Sequence, residues 1–152
     1  PDGLPVRAEP VRQPGAPNTD MGWEVHPDSL VRTQVWMKER YGDRPIYITE
    51  TGAAFDDPEP DARGRVNDPA RREYFRLHLM AVHEAIGRGV DVRGYFAWSL
   101  LDNFEWALGY EKRMGLVRVD FGTQERTIMD SGRVYRDVIV TRGTVLDHEE
   151  NA

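Results

Sequence analysis

With 152 residues, 39% of them hydrophobic and 30% charged, the chain can bury a core of its own and is too apolar to be read as disordered. Its net charge of −6, with acids and bases interleaved, argues against nucleic acid as the main partner and shows no patch for a membrane surface. The absence of cysteine excludes disulfides, thiolate chemistry and cysteine-ligated metals, and it is compatible with a cytoplasmic location.

Residues 1–20 carry five prolines and no hydrophobic period, which predicts an irregular, exposed segment. The chain starts at Pro1 inside what reads as a loop, with no signal peptide, so a piece of something longer is expected. Met21 to Val25 is short and apolar and should pack on the body of the fold. Pro27 suits the first position of a helix, with His26 just outside it and Asp28 in its first turn. Leu30, Val31, Val35, Trp36 and Met37 mark that helix, Trp36 as a core residue, and Gly42 stops it. Ile46 to Thr51 then reads as a buried strand ending at Glu50, with Gly52 releasing the turn.

The connection from Thr51 to Asn67 is long and holds Asp56, Asp57, Glu59 and Asp61. Their spacing is not that of a calcium loop, so it reads as the solvated rim of a site, with no metal expected. Asp68-Pro69 opens a helix running to Gly87, with Phe75, Leu79, Val82 and Ile86 on one stripe. His78 and His83 lie too far apart on its wheel to share a metal. Val92 to Leu101 is a second buried strand, emptying into Asp102-Asn103-Phe104-Glu105-Trp106. Its longest apolar run, Tyr95 to Leu101, is far too short to span a bilayer, and no membrane partner is expected. A short extended piece, Leu116 to Phe121, precedes a final helix capped by Asp130 or Ser131 and carrying Val134, Tyr135, Val138 and Ile139. The division is therefore an irregular segment 1–20, a folded part 21–142 and a frayed tail 143–152.

Two apolar strands joined by a helix, each ending in carboxylates, are consecutive units of a parallel α/β sheet or barrel. Ligands in such folds sit at the carboxyl ends of the strands. A glutamate there is costly unless it is paired, here by Arg44 or Arg63, or has chemistry to perform. The two ends together offer Glu50, Asp102, Asn103 and Glu105, framed by Trp98 and Trp106. Carboxylates accept from pyranose hydroxyls while indole rings cover the apolar face of the sugar. One ionised carboxylate can also attack an anomeric carbon. The alternative is that both tryptophans are rim packing and Asp102 caps a turn.

Ile48-Thr49-Glu50-Thr51-Gly52 resembles the Ile-Thr-Glu-Asn-Gly motif of family 1 glycoside hydrolases, the β-glucosidase family. Gly94 to Trp106 resembles that family's last-strand motif throughout, and Gly109-Tyr110, Arg113, Val119-Asp120 and Arg126-Thr127 continue it. With Met21-Gly22-Trp23-Glu24-Val25 and Pro27, the similarity runs from about Thr19 to Ile139. It implies the carboxyl-terminal part, the last two strands and flanking helices, of a (β/α)8 barrel that hydrolyses β-glucosides with retention and without a cofactor. Glu50 would be the nucleophile. Glu105, which on spacing alone could be the acid, would bind glycone hydroxyls together with the indole N–H of Trp106, and Trp98 would be the stacking platform.

Thr51 departs from the family's Asn, Met114 from Phe, and Met129 and Val134 from Lys and Trp. The family's acid/base, in a Thr-x-Asn-Glu-Pro motif, has no counterpart here, and a barrel needs roughly 250 residues. The expected partners are thus a β-glucoside and the remainder of the barrel. The rivals are an inactive or purely sugar-binding fragment and a structural remnant with exposed strand edges.

Overall fold

The computed structural model describes residues 13–147. Helix α1 spans Pro27–Tyr41, strand β1 Ile46–Thr51, helix α2 Pro69–Gly87 and strand β2 Val92–Ala97. A hairpin of β3 (Val117–Val119) and β4 (Arg126–Ile128) leads into helix α3, Asp130–Thr141. β1 and β2 pair in parallel, and β3 and β4 pair antiparallel. Of the amino-terminal segment, residues 1–12 lie outside the described residues, as do 148–152 of the tail.

The expected punctuation is where the helices begin and stop. Pro27 stands at the first turn of α1, and the His26 ring nitrogen Nδ1 accepts from the Ser29 N–H. Gly42, at φ +76°, ends the helix. Pro69 starts α2, but Asp68 makes no capping bond within it. Its carboxylate is taken instead by Arg71 and by the Ser131 N–H at the start of α3.

The core sits between α1, α2 and one face of the β1–β2 pair. Val31, Ala81, Ala85 and Val90 are buried together, with Ile46 and Val92 of the strands packed against them. A second packed zone runs from Phe75 to Tyr135, whose hydroxyl donates to the Tyr95 carbonyl at 3.0 Å. The other face of the strands carries Tyr47 and Phe96, each more than half exposed, and Leu100, Ile139 and Val140 are likewise bare. Among the described residues no helix is long and apolar enough to cross a membrane.

Several expectations need correction. Trp36, expected in the core, is 53% exposed and meets Tyr41 edge-on, because α1 buries the Val31–Gln34 side. The buried face of α2 follows Phe75, His78, Ala81, Val82 and Ala85, and Ile86 lies off it in solvent. The second strand stops at Ala97 rather than Leu101, since Ser99 turns away to bond the Met114 carbonyl. The tail does not fray at Arg142: a left-handed Arg142 and Gly143 reverse the chain into a 3-10 turn, Thr144–Asp147, which buries Leu146.

Candidate active site

Glu50 owes its direction to a bulge. Between the pairs Ile48↔Tyr95 and Thr51↔Ala97, β1 advances three residues while β2 advances two. Strict alternation therefore breaks, and Thr49 and Glu50 are both exposed in succession. Bulges of this kind re-aim a side chain at the end of a strand. Gly52 then permits the strand ends to close on each other: a Cβ there would lie 1.7 Å from the Trp98 carbonyl oxygen. The Trp98 N–H donates to the Thr51 carbonyl at 2.8 Å, fixing the tryptophan beside Glu50, and its peptide bond to Ser99 is cis.

Beyond Ser99 the loop sorts its polar residues into two kinds. Asp102 is buried. One of its oxygens accepts from the Gly115 N–H at 3.0 Å; the other accepts from the Val119 N–H at 3.2 Å and from Arg113 at 2.5 Å. Asn103 donates to the Ser99 hydroxyl and the Leu101 carbonyl. Both are spent on the loop's own shape, so two of the acids and amides expected at the site are structural. Glu105 is different. Its backbone is held by the 3-10 turn Trp106–Leu108 and by Gly109, and no donor among the described residues reaches its carboxylate. The same is true of the Glu50 carboxylate.

Glu50, Thr51, Gly52, Trp98 and Glu105 line one cavity of about 390 Å³. That volume suits a small polar ligand such as a monosaccharide. Trp106 is outside this lining and 80% exposed, so of the four side chains expected at the site three converge. Its indole points no hydrogen bond at another described residue.

The opposite wall was not foreseen. Trp23, Glu24 and His26 come from the segment before α1, and Tyr74 and His78 from α2. That segment is tied down by the Asp20 N–H donating to the Ala54 carbonyl at 3.0 Å and by the Thr19–Trp23 pair of bonds. His78 stacks on Tyr74 with ring centroids 3.9 Å apart, and its Nδ1 faces the Tyr74 carbonyl at 2.7 Å. Facing a carbonyl, Nδ1 carries the proton. Burial holds the ring below its ordinary pKa and so keeps it neutral, and burial also pushes up the Tyr74 hydroxyl. The signal for Trp23 was present in the Met21–Val25 motif; a histidine on a helix gave none.

The acidic residues of the long loop disperse rather than gather. Asp57 pairs with Arg71, Glu59 with Arg118, and Asp61 accepts from the backbone N–H groups of Arg65 and Arg63, which lower its pKa. A larger hollow, about 590 Å³, opens between α1, α2 and residues 143–146, but it has no tryptophan and no strand end.

The sequence profile described as "Glycosyl hydrolase family 1" matches residues 5–144. The chain belongs to glycosyl hydrolase family 1. The 1,4-beta-D-glucan glucohydrolase of Thermotoga neapolitana is 50% identical over 127 residues, 84% of this chain and 28% of that protein. Beta-glucosidase A of Thermotoga maritima is 48% identical over the same shares. The structure titled "Beta-glucosidase from Thermotoga maritima in complex with glucoimidazole" superposes with a TM-score of 0.83 at 46% identity, covering 87% of this chain and 30% of that one. The two parallel strands with their helices are accordingly a portion of a (β/α)8 barrel, as the family 1 resemblance implied. The chain spans about 28% of the length of the curated relatives it matches.

Proposed function

We propose that this chain supplies the nucleophile and glycone-binding half of a retaining β-glucosidase. The observation that carries the reading is the convergence of two carboxylates without a partner among the described residues, Glu50 and Glu105, with Trp98 in one cavity at the ends of adjacent parallel strands. The names of the relatives, glucan glucohydrolase and beta-glucosidase, support the substrate class.

In this mechanism a Glu50 oxygen attacks the anomeric carbon as the glycosidic C–O bond breaks. The departing oxygen takes a proton from an acid/base carboxyl, which retaining geometry puts about 5–5.5 Å from the nucleophile. Water then attacks the same carbon, gives its proton to that base and frees Glu50. Two inversions leave the configuration unchanged. Trp98 covers the apolar face of the sugar, and Glu105 accepts from its hydroxyls. Trp106, outside the cavity lining, offers its indole N–H to a hydroxyl at the rim.

The acid/base belongs to the remainder of the barrel. The bare apolar face around Tyr47, Phe96 and Leu100 supports that arrangement, because soluble monomers rarely leave such patches uncovered. Alone, the chain associates and does not cleave cellobiose.

The test is to complete the barrel with the amino-terminal portion of the Thermotoga maritima relative and follow hydrolysis of a nitrophenyl β-D-glucoside by proton NMR. The β anomer of glucose appears first if the reading holds. First release of the α anomer, or no hydrolysis by a folded barrel, overturns it.

A further inference from the structure

Arg71 is the one large charged side chain of α2 that is wholly buried. A guanidinium in that position is costly, and a buried ion pair is a poor device for stability alone, since apolar residues of similar volume often serve as well. What the side chain touches indicates another purpose. One terminal nitrogen donates to Asp57 at 2.7 Å and to Asp68 at 3.2 Å, with the Met129 sulfur at 3.8 Å. Nε donates to the Ala53 carbonyl at 3.4 Å, and the other terminal nitrogen to the Arg113 carbonyl at 2.8 Å.

Ala53 and Asp57 belong to the loop that leaves Glu50. Arg113 holds Asp102, and Asp102 begins the loop that carries Glu105. One rigid, planar fork thus joins both carboxylate-bearing loops from beneath. Past the Thr51↔Ala97 pair and the Trp98-to-Thr51 bond, the two chains no longer run as a ladder. The Asp57 carboxylate is 1% exposed, with its second oxygen unpartnered and its pKa raised by burial against the pull of Arg71. Without Arg71 that loop would hold a bare buried acid and would have to move.

We infer that Arg71 is a positioning residue for the reaction: through Ala53 and Asp57 on one side and Arg113–Asp102 on the other, it fixes Glu50 relative to Glu105 and Trp98. The inference rests on the nucleophile role proposed above. It separates from mere bracing of the fold, because a brace changes how many molecules are folded, whereas a positioning residue changes the rate of those that are.

The experiment uses the completed barrel and 2,4-dinitrophenyl 2-deoxy-2-fluoro-β-D-glucoside, a probe that esterifies the attacking carboxylate. Intact-mass measurement yields both the fraction labelled and the labelling rate constant. Wild type, R71K, R71M and R113Q are compared well below their melting temperatures. R113Q removes the charged partner of Asp102 while keeping the backbone carbonyl that Arg71 uses, and the labelled fraction reports how much of the variant is folded.

The expected result for R71K and R71M is a labelling rate constant and kcat lowered about 10- to 100-fold, the scale of an ångström-sized misplacement, with KM little changed and labelling still complete. R113Q falls in the same direction by a smaller factor. A lowered labelled fraction with a wild-type rate constant overturns the inference, and so does a wild-type rate constant in R113Q should the Arg71 variants not fold. Wild-type protein that labels elsewhere than Glu50 overturns the nucleophile reading itself, a separate failure.

Discussion

Asp102 and Glu105 stand three residues apart in one loop and lead opposite lives. Asp102 lies below the strand ends, walled from solvent and saturated by Arg113 and two backbone N–H groups. Glu105 stands above them in the cavity, where no donor among the described residues reaches its carboxylate. The same division separates Asp57, Asp68 and Asp130, each paired with an arginine, from Glu50. In the lower tier every charge is already answered by the protein. In the upper tier the hydrogen-bonding capacity is left for a ligand, and that is what distinguishes a site from a brace.

The largest effect belongs to the upper tier. In the completed barrel, Glu50→Gln should lower kcat/KM for a nitrophenyl glucoside by about a thousandfold or more, since an amide cannot form the glycosyl ester. Its thermal midpoint should match wild type, because no described residue bonds to that carboxylate. A large drop in midpoint would put Glu50 in the structural tier.

The lower tier should respond in reverse. Asp102→Ala leaves Arg113 and the Gly115 and Val119 N–H groups without their acceptor, at a cost of about 3–5 kcal/mol in unfolding free energy measured by urea titration. An unchanged urea midpoint would mean that the network is decoration.

These tiers were only partly visible in the sequence. α1, β1 and α2 were legible because proline, glycine and apolar spacing are local signals, as at Pro27, Gly42 and Asp68-Pro69. β4 was missed: Arg126–Ile128 has three residues and no period, and it is a strand only because β3 lies beside it. Glu50, Trp98 and Glu105 could be named from their motifs, but Asp102 looked equally eligible. What excludes it is the return of Gly115 and Val119 from far along the chain, which no spacing within the motif encodes. The contacts of Arg71 with Ala53, Asp57 and Arg113 likewise form only when α2 is packed.

Between the extremes, Glu105→Ala should raise KM for the glucoside about tenfold and lower kcat by a similar factor, because hydroxyl contacts tighten as the ring flattens. Full recovery of rate with added azide would make Glu105 a carboxylate of the chemistry rather than of binding.

The smallest effect concerns pH and the far wall of the cavity. Burial lowers the His78 pKa below its ordinary 6.5, with the Tyr74 carbonyl pulling the other way. The unfolded chain therefore binds that proton more readily. The stability His78 contributes is full above 6.5 and is lost as pH falls through that value toward the lower folded one. The thermal midpoint of the completed barrel should drop between pH 7.5 and 5.5, and His78→Phe should flatten that slope. A slope unchanged in the variant would assign it to other groups.

The proposed bond between Glu50 and the sugar can be seen by treating the completed barrel with 2,4-dinitrophenyl 2-deoxy-2-fluoro-β-D-glucoside, digesting it and locating the added fluoroglucosyl mass. One labelled peptide is expected, with the modification on Glu50. A label on Glu105, on Glu24, or on any residue outside this chain would contradict it.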